Sequence, residues 1–220
     1  DTNTLHVDAT NNRVGIGTTS PASAAGNALV VHDTSAPRIR LTSNTTGETA
    51  TDGAEISLLT SAFVVENREA SDTIFFNNGA ERMRIDASGR VTTPNQPMFT
   101  VNGVAAASTT PGNAQVLNFS GVYLNVGGHF NISTDRFVAP VTGHYFFAFS
   151  CMTTTQSHTS NIVIRKNGGG RHSSYTQNAT YLRHNIAVVE QLAANDYVDI
   201  VLEHGGVHAG FDHFSGFLIG

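Results

Sequence analysis

Short stretches in which apolar and polar residues alternate run along most of this chain of 220 residues. Alternation with a period of two is typical of β-strands that bury one face. Residues 143–151 show it most clearly, and one face of this stretch carries Tyr145, Phe147, Phe149 and Cys151. The opposite face also carries an aromatic ring, Phe146. We therefore expect this strand to be covered on both sides, by a sandwich core on one side and by another sheet or subunit on the other.

Later stretches of the chain predict further strands. They are Ile162–Arg165, Tyr175–Arg183, Asn185–Leu192, Tyr197–Leu202 and His213–Ile219. Turn residues separate these strands at 167–170, 194–196 and 205–206, where glycine, asparagine and aspartate favour tight turns. Only 13% of the residues are charged and 21 are glycine, and no stretch shows an apolar period typical of helices. The sequence therefore predicts an all-β protein.

The first part of the chain contains a repeat. Leu5–Val14 and Met83–Val91 both read as an apolar–polar–apolar strand, then aspartate, a polar turn and Arg-Val, which predicts two hairpins. The strands of residues 1–97 are short and thinly apolar, so a single copy offers little area to offset chain entropy. We expect several chains to intertwine there, the alternative being a small monomeric β domain. Pro94 and Pro97 mark a stiff linker to a second domain at 98–220.

Composition excludes several classes of protein. The net charge is −5 and Lys166 is the only lysine, which argues against nucleic acid as a partner. One cysteine, Cys151, excludes a disulfide framework and a cysteine-based zinc site. No apolar run approaches the roughly 20 residues that a membrane span needs, so no membrane insertion is predicted. The chain begins in mid-pattern without methionine, and we expect it to be a C-terminal fragment of a longer protein.

The repeat carries a resemblance to known proteins. The first copy continues as Val-Gly-Ile-Gly-Thr-Thr-Ser-Pro at 14–21, and the second includes Glu-Arg-Met-Arg-Ile at 81–85. Both elements resemble segments that recur in bacteriophage tail fibres and other virion appendages. The second copy departs from the pattern, since Val-Thr-Thr-Pro at 91–94 lacks the Gly-Ile-Gly. The resemblance implies that 1–97 is a β-rich, intertwined trimeric stalk.

A second resemblance covers residues 98–220. It rests on the spacing of Phe119, Asn125, Phe130, Phe137, Gly143, Tyr145, Phe147 and Phe149, and on Asp-His-Phe-Ser-Gly-Phe-Leu-Ile at 212–219. This pattern resembles the C1q globular-head family, which belongs with tumour necrosis factor to a jelly-roll superfamily. The resemblance implies a C1q-like jelly-roll sandwich and a homotrimer. Core or trimer packing is expected from Phe119, Tyr123, Phe130, Phe137, Tyr145, Phe146, Phe147, Phe149 and Phe217.

The loops expected at 153–161, 167–174 and 205–212, together with Tyr175, are the expected place for a ligand. They combine neutral donors, imidazoles and an aromatic ring that suit sugar hydroxyls and ring faces. The candidates are Gln156, His158, Asn161, Arg171, His172, Tyr175, His208 and Asp212. The plainer interpretation of each is a solvated loop tip.

No cofactor and no metal are predicted. The residues that would hold a metal are His204, His208, Asp212 and His213, but their spacing follows no known metal-site rule. An ion on or near a trimer axis is left open.

Catalysis is not predicted either. The chain has no Gly-x-Ser-x-Gly nucleophile elbow, and Cys151 lies on the aromatic face of its strand, where an inert buried thiol is expected.

These features favour a non-enzymatic trimeric attachment protein. We expect the distal part of a phage tail fibre, extracellular on a virion, whose head loops bind a glycan or outer-membrane protein of the host cell. Two alternatives stay open, a structural cap that trimerises a fibre and a bacterial adhesin or lectin.

Overall fold

The computed structural model describes residues 4–22, 26–109, 111–154, 159–177 and 181–220. These residues form β-strands and no helix, which confirms the all-β prediction. The described part of the chain accordingly has no helix long and apolar enough to cross a membrane. Contacts divide the chain into two compact units, Asp1–Thr92 and Thr93–Gly220. The second unit is called the head below.

The first unit contains three separate three-stranded sheets, β1–β3, β4–β6 and β7–β9 in chain order. Their strands are β1 Leu5–Asp8, β2 Arg13–Ile16, β3 Ala28–Val31, β4 Arg38–Leu41, β5 Ala54–Leu59, β6 Ala62–Asn67, β7 Thr73–Asn77, β8 Ala80–Ile85 and β9 Val91–Thr92. β2 and β3 pair in parallel, and the other neighbours pair antiparallel.

Both copies of the sequence repeat form antiparallel hairpins, β1–β2 and β8–β9. An aspartate orders each turn by accepting hydrogen bonds from backbone amides. Asp8 accepts from the Asn11 amide at 3.1 Å, and Asp86 accepts from the Arg90 amide at 2.9 Å. Gly89 has φ +82°, a conformation that glycine adopts without strain.

The middle sheet has an unusual distribution of side chains. Ile39, Ile56 and Val65 are aligned across its three strands and are 47%, 47% and 57% exposed. On the other face, Glu55 is 3% exposed and forms ion pairs with Arg38 at 3.6 Å and Arg68 at 3.5 Å. The polar face is therefore covered within the chain, whereas the apolar face is open.

The head is a sandwich of two antiparallel sheets in a jelly-roll order. One sheet has five strands in the order β13-β10-β21-β16-β19, and the other follows β14-β15-β20-β17-β18, with β11 and β12 also paired to β20. The strands are β10 Met98–Asn102, β11 Ala107–Thr109, β12 Gln115–Val116, β13 Gly121–Val126, β14 Phe130–Asn131, β15 Arg136–Val138, β16 Gly143–Met152, β17 Ser160–Lys166, β18 Gly169–Thr176, β19 Arg183–Leu192, β20 Tyr197–Val207 and β21 His213–Leu218.

Aromatic rings fill the space between the two sheets. Phe99 lies at the centre, with ring centroids 5.0 Å from Phe130, 5.1 Å from Phe137 and 4.9 Å from Phe214. The other buried rings are Phe119, Tyr145, Phe147 and Phe149. Close packing of such rings supplies most of the buried apolar area and adds favourable ring geometry.

Gly216 allows the last strand to close over this core. A Cβ atom at this position would lie 2.6 Å from the Phe147 ring and 2.8 Å from the Phe99 ring. Such distances are far below normal contact, so the rings of two neighbouring strands occupy the space that any larger residue would need.

Two of the predicted loops are wrong in part. β18 spans Gly169–Thr176, most of the segment expected to be a loop, and β20 continues to Val207. The reason is the turn at Asn167 and Gly168, whose φ angles of +50° and +80° make a two-residue hairpin and let β18 pair with β17 at once. The strand expected at Tyr175–Arg183 instead ends at Thr176.

Truncating one ring tests this packing. Phe147→Ala should lower the free energy of unfolding of the head by about 3–5 kcal/mol, because the cavity among fixed aromatic rings cannot collapse fully. Hydrogen exchange of the β16 amides measures the change. Val141→Ala, at a position 46% exposed, is the control and should change it by less than about 0.5 kcal/mol. A loss below about 1 kcal/mol for Phe147→Ala would contradict the core assignment.

Candidate functional site: two faces and one end of the head

The outward face of the five-stranded sheet carries an apolar row across all five strands. The strand register aligns Val126, Met98, Phe217, Phe146 and Val189. The rings of Phe146 and Phe217 lie 5.3 Å apart, and Phe217 and Val189 are 42% and 55% exposed. This surface is called the open face. It is the second apolar face of β16 that alternation predicts.

The open face becomes more polar away from this row. The next row contains Leu124, Thr100, Ser215, Ala148 and Ala187. The row after that contains Asn102, His213, Ser150 and Asn185. Tyr123, 75% exposed, lies at the edge, where its hydroxyl accepts a hydrogen bond from Asn102 at 3.1 Å. Tyr123, Phe146 and Phe217 thus lie outside the buried core cluster of the single chain.

The head has two distinct ends. Met98 pairs with Phe217, so the chain enters and leaves the sandwich at the same end. The opposite end, called the distal end, holds the last residues of β10, β16, β18 and β20 and the first residues of β17, β19 and β21.

A buried histidine links the two sheets at the distal end. His184 on β19 is fully buried and is hydrogen-bonded to the hydroxyls of Ser160 at 3.0 Å and Ser174 at 2.9 Å. Burial lowers the pKa of His184 to about 4, because removal from water disfavours the imidazolium. A second contact joins β18 and β19, the edge strands of the two sheets: the His172 ring lies 2.5 Å from the carboxylate of Glu190.

A second polar cluster supports the seven-stranded sheet. The buried carboxylate of Asp199 accepts two hydrogen bonds from Arg165, at 2.9 and 3.0 Å. Arg136 lies 3.4 Å from the same carboxylate and stacks 4.0 Å above the Tyr197 ring. Hydrogen bonding to Asp199 raises the pKa of Arg165. These contacts satisfy a buried charge and have the character of structural support.

Cys151 has the properties of an inert core thiol. It is fully buried, and burial raises its pKa to about 12. A nucleophilic cysteine needs the opposite shift and access to solvent.

Some of the ligand candidates predicted from sequence lie on strands, and others lie between strands. Asn161 lies on β17, and Arg171, His172 and Tyr175 lie on β18, so their assignment to loops is wrong. His208 and Asp212 lie between β20 and β21, as expected. Gln156 and His158 are outside the described residues.

Two aromatic clusters occupy the distal end. Tyr175 and His204 lie on either side of Asn161, with ring centroids 6.0 Å apart. The second cluster consists of Tyr181, His208 and Phe211, with successive ring distances of 5.9 and 5.0 Å. Sequence reasoning missed Tyr181 and Phe211, because only the fold brings these distant positions together.

The residues named for a metal do not converge. His208 uses Nδ1 on the neighbouring Ala209 carbonyl, and Asp212 accepts from the Val104 amide. Burial raises the pKa of Asp212, which disfavours the charged form that binds metal. Within the ranges that the structure describes, no group of three or more His, Cys, Asp and Glu side chains could hold an ion.

The sandwich and its aromatic core define a jelly-roll domain of the C1q and tumour-necrosis-factor type. The C1q domain family matches residues 98–219, so this chain belongs to that family. Complement C1q tumor necrosis factor-related protein 3 is 36% identical in Mus musculus and 35% identical in Homo sapiens, over 107 residues in each case. Each match covers 46% of this chain and 43% of the relative. The chain thus spans less than half the length of these curated relatives.

Solved structures with similar folds include the globular domain of zebrafish complement 1qA protein, with a TM-score of 0.47 and 20% identity. That match covers 57% of this chain and 98% of the other. Murine APRIL at pH 8.5 has a TM-score of 0.46 and 14% identity, covering 56% and 99%.

The buried histidine makes head stability depend on pH. Since the folded pKa is about 4 and the unfolded value about 6.5, protons bind the unfolded state preferentially between these values. Stability is therefore complete above pH 6.5 and falls progressively as pH drops towards 4, by on the order of 3 kcal/mol. Denaturant unfolding of the head between pH 7 and 4 measures the slope.

His184→Gln separates this titration from that of the carboxylates. Glutamine can bond to both serine hydroxyls but does not titrate in this range, so the slope should flatten. His32→Gln, in the first unit, should leave it unchanged. An unaltered slope in His184→Gln would show that the buried imidazole is not responsible.

Proposed function

We propose that this chain is a non-enzymatic, homotrimeric attachment protein. Its head is assembled through the open face and binds a receptor on a cell surface through the distal end. Residues 1–97 form a trimeric stalk, and the protein works outside the cell. The observation that carries this proposal is the apolar row of the open face, which is exposed to solvent in the single chain.

The open face has the properties of a subunit interface. Five apolar side chains, two of them aromatic rings in tilted contact, form one continuous row without a covering layer in the chain. Burial of apolar area contributes roughly 25 cal/mol per Å², and exposed patches of this kind commonly mark association sites. Domains of the C1q and tumour-necrosis-factor type form homotrimers. We assign Phe146, Phe217 and Tyr123 to the contact between copies.

The first unit supports the same assembly. Its middle sheet covers Glu55 but exposes Ile39, Ile56 and Val65. Large apolar side chains are also open on the other two sheets, including Leu29 at 60% and Phe76 at 63%. Three copies that pack these faces against each other would supply the missing core, as neighbouring units do in repeat proteins.

The distal end is the proposed attachment surface. It combines exposed rings, Tyr175 at 54% and Tyr181 at 51%, with histidine and amide groups that bond to neutral polar ligands. A trimer presents three copies of it side by side, so a weak single site can still give firm attachment.

The finer proposal is the distal part of a phage tail fibre. It is supported by the Val-Gly-Ile-Gly-Thr-Thr-Ser-Pro and Glu-Arg-Met-Arg-Ile elements of the repeat, which lie in and beside the hairpins of the first unit. The receptor would be a glycan or outer-membrane protein of a bacterial host, and further fibre would precede residue 1. The relatives from Mus musculus and Homo sapiens share the head, so the virion role rests on the repeat.

Attachment and assembly can be tested together. The labelled full chain should have three times the chain mass of 23.3 kDa by light scattering and should bind saturably to strains in a panel of bacteria. Phe146→Asp places a charge in the apolar interface, which is costly without a partner. The variant should be monomeric. It should bind the same strains at least about 100-fold more weakly than wild type, because avidity is lost.

Asn131→Asp is the matched control, since it adds the same charge to an exposed site on β14 of the other sheet, away from the distal end. It should stay trimeric and bind normally. A wild-type monomer would contradict the assembly. A trimer without saturable binding to any strain would favour the structural cap.

A further inference from the structure

One row of side chains at the distal end combines an exposed ring with an unpaired amide. Tyr175 on β18, Asn161 on β17 and His204 on β20 are direct neighbours in the strand register, on the face turned away from the core. The rings of Tyr175 and His204 meet edge to face at 6.0 Å. The next row on this face is Ser173, Val163 and Val201, and these three side chains carry no charge.

The Asn161 amide lacks the partners that its position calls for. Its Oδ1 atom is shielded from solvent and accepts no hydrogen bond within the described structure. A buried acceptor without a partner is destabilising, and native proteins rarely retain one without a reason. Because no hydrogen bond within the described structure fixes the orientation of the amide, rotation by 180° exchanges Oδ1 and Nδ2. The group can then offer either an acceptor or a donor to a ligand.

The backbone beneath this row is held firmly. Ser160 and Ser174, the chain neighbours of Asn161 and Tyr175, are both hydrogen-bonded to the buried His184. All three members of the row lie on strands, which position side chains more precisely than loops do. The face is also opposite to the open face, so trimer assembly through the open face leaves it accessible.

We propose that Tyr175, Asn161 and His204 form a binding site for the ring of a neutral saccharide. This inference rests on the proposed attachment function and names its ligand class. The apolar face of a sugar ring packs on Tyr175, while its hydroxyl groups, which both donate and accept, bond to the Asn161 amide and the His204 imidazole.

Other ligands fit the row less well. Nucleic acid requires clustered cations, whereas this chain has a net charge of −5 and the row itself carries no arginine or lysine. An extended peptide pairs with an open strand edge; β18 has such an edge, but Asn161 and His204 lie on β17 and β20, which are hydrogen-bonded on both sides. The plainer role is cross-strand packing that stabilises the sheet, and the experiment separates the two.

The test uses the full-chain trimer and an array of neutral oligosaccharides built from hexoses and N-acetylhexosamines. Wild type should bind members of the array, and Tyr175→Ala and Asn161→Ala should each weaken binding about tenfold or more. Tyr175→Phe keeps the ring and should stay within about threefold of wild type. Val141→Ala shortens an exposed side chain next to the start of β16, at the end of the head opposite to the distal end, and should have no effect.

A second measurement guards against variants that fail to assemble. Titration of the wild-type trimer with the best array sugar should shift the His204 ring signals in nuclear magnetic resonance spectra and leave those of His144 unchanged. Unshifted His204 signals, or equal binding by Tyr175→Ala and wild type, would overturn the site.

The two proposals fail in different ways. If wild type binds bacteria but no array sugar, or if binding survives periodate oxidation of the cell surface, the saccharide inference is wrong and attachment stands. If wild type binds neither bacteria nor sugars, both proposals are wrong.

Discussion

The structure depends on a five-stranded sheet that is apolar on both faces. On one face, the rings of β16 and β21 pack against Phe99, Phe130 and Phe137 to form the core. On the other, Phe146 and Phe217 form the centre of an apolar row that the single chain does not cover. The fold of the single chain buries the inner apolar face, whereas burial of the outer apolar face needs a second molecule. The proposed assembly therefore depends on the same strand that organises the core.

This arrangement assigns different roles to the two sheets. If copies meet through the five-stranded sheet, the seven-stranded sheet faces outward and is free to meet a ligand. Two polar clusters hold this sheet in place: the His184 bridge joins it to the other sheet, and the Asp199 cluster lies on its outer face. The His184 ring and the Asp199 carboxylate are buried and hydrogen-bonded, so they stabilise this sheet.

The sequence predicts the core well because aromatic spacing and strict alternation are local signals. Tyr145, Phe147 and Phe149 could be placed on one face from residue order alone. It predicts β18 poorly, since Gly-Gly-Arg-His-Ser-Ser at 169–174 has no apolar alternation and becomes a strand only through pairing with β17. His184 was likewise missed as a structural residue, because its two serine partners come from other strands.

The candidate site shows the same division. Asn161 and Tyr175 could be named from their chemistry, but their alignment with His204 is a property of register across three strands. The convergence of Tyr181 with Phe211 around His208 is equally invisible in the sequence. Residue types suggest what a surface can bind, whereas only the fold shows which of them act together.

The central claim is that the open face is buried between copies, and thiol labelling tests it directly. Ala187→Cys places a reactive thiol on that face, and Ser173→Cys places one on the opposite sheet; both positions are exposed in the single chain. The native Cys151 does not compete, because its thiol is buried with a pKa of about 12. The account predicts that iodoacetamide labels Ser173→Cys rapidly and Ala187→Cys slowly until the assembly is dissociated. Equal labelling rates in the native protein would contradict it.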